Sequence, residues 1–179
     1  MTEPANNTSS VIHGKACEAK YLPFRPESEY YFQEGCHIIE LLNREDDADV
    51  SIARARVTPG ATTRLHALIN TSERYLILQG QGEVFIGGRT TSNGQANSDM
   101  EENIAAEPLR QAVAIGDMVI IPPGVPQQIT NTGSDDLVFL AICTPRFEVK
   151  CYTEIEMSAT ITPETDLLID LNKNKGDTL

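Results

Sequence analysis

The sequence predicts an all-β sandwich or barrel. Three observations support this: short stretches of alternating apolar residues, turn signals between them, and almost no helical periodicity. The 179 residues include 12 Gly, 10 Pro and only 6% aromatic residues, which is typical of many turns between short strands. With 40% apolar residues, the chain can bury a core, and its length corresponds to about one domain.

The first third of the chain contains a tail and two strand signals. Residues 1–16 are polar and rich in Ser and Asn, which indicates a loose tail. A strand-like run follows at residues 37–42, and residues 44–49 read REDDAD, a charged turn. Residues 50–57, VSIARARV, alternate and contain β-branched residues, so they predict a strand that ends at a Pro-Gly turn.

The remainder continues the pattern of short strands, with one interruption. Two strands hinged at Gly80 and Gly82 are predicted in RYLILQGQGEVFIGG. Residues 89–109 are polar, show no strand pattern, and are interpreted as a surface insertion that is mobile and dispensable for folding. Further strands are predicted in AVAIGDMVIIPPGVPQQITNTGSDDLVFLAIC, and TPETDLLIDL near the end is consistent with one short helix.

Charge and composition exclude several classes of protein. With 26 acidic against 14 basic residues, the net charge is −12, which argues against a general binder of nucleic acid or anionic membranes. No apolar run reaches the roughly 18 residues of a membrane span. The N-terminus has neither a basic start nor an apolar stretch, so a cytoplasmic location is expected. The four cysteines show no CxxC pairing and are expected to be reduced.

Two spaced motifs carry the most specific signal. The first reads G-x5-H-A-L-x4-E-x6-G from Gly60 to Gly80, and the second reads G-x5-P-P-G-x2-Q-x3-N from Gly116 to Asn131. These spacings resemble the two motifs of the cupin superfamily, and the chain is similar to small single-domain cupins of the mannose-6-phosphate isomerase-like type. The resemblance implies a double-stranded β-helix, or jelly-roll barrel, over residues 48–147. Residues 1–47 would then be a polar tail with accessory strands, and 148–179 a C-terminal tail.

The resemblance also implies a metal site, and here the sequence departs from the family. Cupins hold their metal with two His and one Glu from the first motif and one His from the second. In this chain, Leu68 and Gln127 stand where two of the histidines would be. His66 and Glu73, with Gln127 as an amide-oxygen ligand, would hold one divalent Mn, Fe, Ni or Zn more weakly than the full set. The alternative is a metal-free pocket in which His66 and Glu73 form an acid–base pair or bind a ligand through hydrogen bonds.

Strand alternation extends the candidate site. If Glu73 points inward, so do Tyr75 and Ile77. His66, Glu73 and Tyr75 are therefore the candidate catalytic residues, within apolar walls expected from Leu68, Ile77 and Ile129. Burying an unpaired carboxylate costs on the order of several kcal/mol, so Glu73 requires a metal, His66 or an arginine as its partner.

Arginines are the candidate anion binders. Arg54 and Arg56 share one face of a predicted strand. If that face is interior they form a clamp for a carboxylate or phosphate, and if it is exterior they are solvated or contact a partner subunit. Arg146 follows the last predicted strand and could reach the barrel rim. These three residues and Gln127 are the candidate substrate-binding residues.

The resemblance implies a small-molecule protein, and more than one function fits it. The expected ligand is a small polar molecule, namely a sugar, a sugar phosphate or an organic acid. A proton-transfer enzyme of the isomerase or epimerase type is favoured over a dioxygenase, because the loss of two histidines weakens redox metal binding. The alternatives are a non-catalytic binding or sensing protein and a barrel with a vestigial pocket. A homodimer is also expected, in which residues 28–43 add to the partner's sheet edge.

Overall fold

A computed structural model describes residues 19–87 and 108–155. The polar tail and the expected C-terminal helix lie outside these ranges, as does the expected insertion apart from its last two residues. Within the described ranges the chain is built from β-strands and two short 3-10 turns, without an α-helix. None of the described segments is a helix long and apolar enough to cross a membrane.

Eleven strands are described, and they follow the predicted order of short elements. Their bounds are β1 Tyr30–Phe32, β2 Cys36–Arg44, β3 Asp47–Val57, β4 His66–Leu68, β5 Ser72–Gln79, β6 Gln81–Ile86, β7 Leu109–Ala114, β8 Met118–Ile121, β9 Gln127–Asn131, β10 Leu137–Thr144 and β11 Tyr152–Glu154.

These strands form two sheets. One has six strands in the order β1-β2-β3-β10-β5-β8, and the other has five in the order β11-β4-β9-β6-β7. The recorded strand pairs are antiparallel. Successive strands cross repeatedly from one sheet to the other, which is the double-stranded β-helix, or jelly roll, predicted from the sequence.

The core lies between the two sheets. The six-stranded sheet contributes Tyr75 and Phe139, whose rings are 4.5 Å apart between centroids, and the five-stranded sheet contributes Val84 and Ile129. Each of these side chains is at least 99% buried. Strand β5 alternates between partly exposed and buried positions from Ser72 to Ile77, because one face of an antiparallel strand packs on the core and the other faces out.

The predicted hinge between β5 and β6 is a tight turn at Gly80. Its φ of +79° lies in the left-handed region, and a Cβ there would come within 2.7 Å of the Asp136 carbonyl oxygen. A glycine is required for both reasons. The turn allows β5 and β6 to belong to different sheets.

Three segments form strands that differ in extent or in pairing from the sequence-based expectations. Residues 36–44 form β2 and pair with β3 of their own chain, so this part of the 28–43 segment is already used within the sheet. Strand β7 begins at Leu109, the last residue of the expected insertion. Residues 152–154, expected in a C-terminal tail, form β11 and pair with β4. The sequence predicts β7 only from Ala112 onward, and the start of β7 and the whole of β11 depend on long-range pairing rather than on a local pattern.

Candidate functional site

A cleft opens on the inner face of the six-stranded sheet. Its cavity volume is about 60 Å³, and one side of it is open to solvent. Tyr30 and Glu40, both exposed and joined by a hydrogen bond of 3.3 Å between the tyrosine hydroxyl and the carboxylate, lie at its open side. Its lining is formed by Tyr30, Phe32, Glu34, Cys36, Ile38, Glu40, Leu42, Asn43, Ser51, Ile52, Ala53, Ala55, Glu73, Tyr75, Phe139, Ala141, Cys143 and Phe147.

Glu73 is at the centre of the polar contacts in this cleft. It lies on β5 and is only 7% exposed. Its Oε2 accepts a hydrogen bond of 2.6 Å from Nε2 of Gln127 and one of 3.4 Å from the Tyr75 hydroxyl. Its Oε1 lies 3.7 Å from the donating thiol of Cys143. The predicted inward orientation of Glu73 and Tyr75 is thus seen in the structure, and Gln127 meets Glu73 from the opposite sheet.

Glu34 brings a second carboxyl group to the same place. It lies in the turn between β1 and β2, and its side chain is 14% exposed. Burial raises the pKa of Glu34 to about 8. Burial, together with the nearby charge of Glu34, raises the pKa of Glu73 to about 7, against smaller opposing contributions from His66 and Gln127. Two buried carboxyl groups that share a site cannot both ionise easily at neutral pH.

His66 lies next to Glu34. Its Nδ1 lies 2.9 Å from the carbonyl oxygen of Arg64. Because a carbonyl only accepts, Nδ1 carries the proton and Nε2 presents a lone pair. That Nε2 is 3.8 Å from Oε2 of Glu34, too far for a hydrogen bond. Burial lowers the pKa of His66, so its ring is neutral at neutral pH.

Tyr152 covers His66. The two rings are stacked, with centroids 5.0 Å apart and planes inclined by 20°. The stacking depends on β11, which brings Tyr152 opposite Leu68 of β4. His66 is therefore held in one orientation by a backbone hydrogen bond on one edge and by an aromatic ring on one face.

Two buried polar atoms beside the carboxyl pair are unsatisfied. Oε1 of Gln127 and the hydroxyl of Tyr152 have no hydrogen-bond partner among the described residues. Gln127 is fully buried, and its amide nitrogen is already used by Glu73. Leaving a buried polar atom without a partner costs about 1–3 kcal/mol.

The structure places the predicted anion-binding arginines away from the cleft. Arg54 and Arg56 lie on the outer face of β3, where both form ion pairs with Glu29, and Arg56 also pairs with Asp136 at 3.2 Å. Arg146 donates a 3.0 Å hydrogen bond to Asn43. Arg146 therefore contacts a lining residue, Asn43, but does not itself line the cleft.

The inner face of β3 is occupied by small residues. Ser51, Ala53 and Ala55 line the cleft instead of the arginines. Of the expected apolar walls, Ile77 and Ile129 belong to the main core, and Leu68 packs with two buried cysteines. The cleft therefore lies nearer to β1, β2 and β3 than the two motifs alone indicated.

The donors present do not fit the metal site that the fold family implies. Among the described residues there is no group of three or more His, Cys, Asp and Glu side chains arranged to hold a metal ion. Within the two motifs, His66 and Glu73 are the family ligands that remain, and Gln127 already uses its amide nitrogen on Glu73. The divalent metal expected from the sequence is therefore not confirmed, and no step below depends on one.

Sequence reasoning missed two residues of this site. Glu34 precedes a glycine in a short turn outside both motifs, and Tyr152 lies beyond the expected barrel. Neither matches a spacing or a periodicity that the sequence offers. Only the pairing of β1 with β2, and of β11 with β4, brings them to Glu73 and His66.

Solved structures with a similar fold include several proteins of different function. Oxalate decarboxylase from Lactobacillus farciminis is 17% identical with a TM-score of 0.54, and the match covers 70% of this chain and 32% of that one. The capsular polysaccharide assembling protein CapF from Staphylococcus aureus is 19% identical with a TM-score of 0.55, covering 72% and 34%. The nucleoside dehydratase Pac13 is 14% identical with a TM-score of 0.54, covering 76% and 92%.

At these identities the similarity shows the fold alone. This chain spans about a third of the length of the oxalate decarboxylase and of CapF. No match was found among curated proteins. The family model for cupins, however, matches residues 40–160, which is most of the chain and includes both motifs. The two motifs, the jelly-roll topology and this match together show that the chain belongs to the cupin family.

Proposed function

We propose that this cupin is a small-molecule enzyme that catalyses proton transfer, of the isomerase or epimerase type. The observation that carries the proposal is the pair of buried carboxyl groups, Glu34 and Glu73, in a cleft lined mainly by apolar and aromatic side chains. Small-molecule sites typically combine apolar walls with a few convergent polar groups. Acid–base catalysis is most efficient when the catalytic pKa lies near the working pH.

Glu73 is the proposed base. With a pKa raised to about 7, a large fraction of its carboxyl groups is ionised at neutral pH and can accept a proton from a bound carbon acid. Burial also raises the pKa of Glu34, so the coupled pair retains a proton near neutral pH, and Glu34 is the proposed donor of that proton. Two carboxyl groups in different protonation states are a common basis for assigning acid and base.

The other residues have supporting roles. The Tyr75 hydroxyl lines the cleft, and burial raises its pKa well above the ordinary value, so it remains a hydrogen-bond donor that can stabilise a developing oxyanion. His66 and Gln127 do not line the cleft and are proposed as positioning residues. His66 lies behind Glu34, and Gln127 holds the carboxylate of Glu73.

The test is hydrogen exchange into substrate candidates. The protein is incubated in heavy water with a panel of small carbonyl compounds, aldoses and amines, and deuterium incorporation at carbon is followed by NMR. The wild-type protein should label at least one class of compound, and Glu73→Gln should abolish the labelling. Glu83→Gln, an exposed carboxylate paired with Arg110 on the other sheet, is the matched control and should retain it.

The alternative function, a binding or sensing protein without turnover, predicts a different result. Compounds would then bind to the cleft and stabilise the protein without deuterium entering any carbon position. Complete absence of exchange across the panel, together with clear binding, would contradict the enzymatic proposal.

A further inference from the structure

We infer that the ligand of this cleft carries a protonated amine, with its ammonium group beside Glu34 and Glu73 and its apolar body against the aromatic wall. The inference names the ligand class of the cleft described above and so rests on the proposed function. It differs from the sugar phosphate and organic acid expected from the sequence, which are anions.

The charges of the lining residues favour a cation. Three carboxyl groups, those of Glu34, Glu40 and Glu73, line the cleft, and neither lysine nor arginine is present among the described lining residues. An anionic ligand would face these carboxyl groups without a cationic partner, and a buried unpaired charge is strongly unfavourable. An ammonium group beside the pair would favour the carboxylate form of both groups, because an opposite charge nearby stabilises the ionised state.

The oxygens of the carboxyl pair match the donors of an ammonium group. A primary ammonium has three N–H donors and no acceptor. Glu34 and Glu73 both line the cleft and supply carboxylate oxygens to it. Gln127 does not line the cleft, but its amide nitrogen donates to Oε2 of Glu73 and holds that carboxyl group in place.

The aromatic lining of the cleft favours a ligand with an apolar body over a metal ion. Phe32 packs edge-on against Phe147 and Tyr152, with ring centroids 6.1 and 5.8 Å apart, and both phenylalanines line the cleft. Aromatic rings attract cations and bury apolar surface. A metal ion would share the charge of an amine but would find no ligands on this wall.

The experiment compares three ligands of one shape and different charge. The full-length protein is titrated by calorimetry, at about pH 7.5, with benzylammonium, benzyl alcohol and benzoate. Benzylammonium should bind at least about tenfold more tightly than benzyl alcohol, and benzoate should not saturate. Glu34→Gln should weaken benzylammonium binding by about tenfold or more and change alcohol binding by less than about twofold. Glu83→Gln should leave all three unchanged.

Several outcomes would overturn the inference. The first is that benzoate binds as tightly as benzylammonium. The second is that Glu34→Gln leaves the affinity for benzylammonium unchanged. The third is that Mn²⁺ alone binds with one-to-one stoichiometry and excludes benzylammonium. If benzyl alcohol binds best while deuterium exchange is retained, the amine inference fails and the proposed function stands. If none of the three ligands binds and no compound exchanges, both fail.

Discussion

Replacing Glu73 by glutamine should make the stability of the protein less dependent on pH. The carboxyl group is 7% exposed, and its pKa is raised from 4.5 to about 7, chiefly by burial. The folded state therefore binds a proton that the unfolded state releases between these pH values. Stability that is present below about pH 4.5 is lost as the pH rises towards 7, and then stays constant with respect to this group.

The size of this change in stability follows from the difference between the unfolded and folded pKa values of Glu73. At about 1.4 kcal/mol for each pH unit, the span from 4.5 to about 7 corresponds to roughly 3 kcal/mol. Glutamine resembles the protonated carboxyl in shape and cannot ionise. The variant should therefore match the wild-type protein near pH 4.5 and exceed its free energy of unfolding by roughly 3 kcal/mol at pH 8.

The groups around Glu73 do not reverse the direction of this pH dependence. Its neighbours are Gln127, Tyr75, Cys143, His66 and Glu34. Gln127 and Tyr75 donate hydrogen bonds and carry no charge near neutral pH, and His66 is neutral there because burial lowers its pKa. Glu34 adds a like charge, which raises the pKa of Glu73 further.

The assay is urea unfolding at pH 4.5, 6, 7 and 8, followed by far-ultraviolet circular dichroism because the chain has no tryptophan. Glu83→Gln is the control for changing a carboxyl group on the surface. If the difference between Glu73→Gln and the wild-type protein stays within about 1 kcal/mol over this range, Glu73 is not protonated in the folded state. The roles proposed for the carboxyl pair would then be wrong.

Three further predictions test the fold and its surfaces. Gly80→Ala should lower the free energy of unfolding by more than about 2 kcal/mol in urea titrations, or prevent soluble expression, because its Cβ would meet the Asp136 carbonyl at 2.7 Å with φ at +79°. Arg56→Ala should cost about 1–3 kcal/mol by the same measurement, since it leaves Glu29 without its strongest partner, while ligand affinity should not change. The homodimer expected through residues 28–43 remains a prediction, and light scattering of the full-length protein should give twice the 19.6 kDa of one chain, whereas the mass of a single chain would contradict it.

The sequence by itself determined the barrel and half of the site. The alternating short strands predicted an all-β sandwich or barrel, and the resemblance of the two spaced motifs to those of cupins implied the jelly roll. Alternation along one strand was enough to point Glu73 and Tyr75 inward, since the side-chain period of a strand is two residues. The second motif assigned Gln127 to the same site as Glu73, as an expected ligand.

The tertiary structure alone decided which other side chains reach Glu73. Alternation showed that Arg54 and Arg56 share a face of β3 but not which face is interior, and the pairing with Glu29 places them outside. Glu34 reaches the cleft through the turn between β1 and β2, and it adds the second carboxyl group there. These positions depend on contacts between residues far apart in the chain, which a local pattern does not encode. The charge of the cleft, and with it the expected ligand, follows from those contacts.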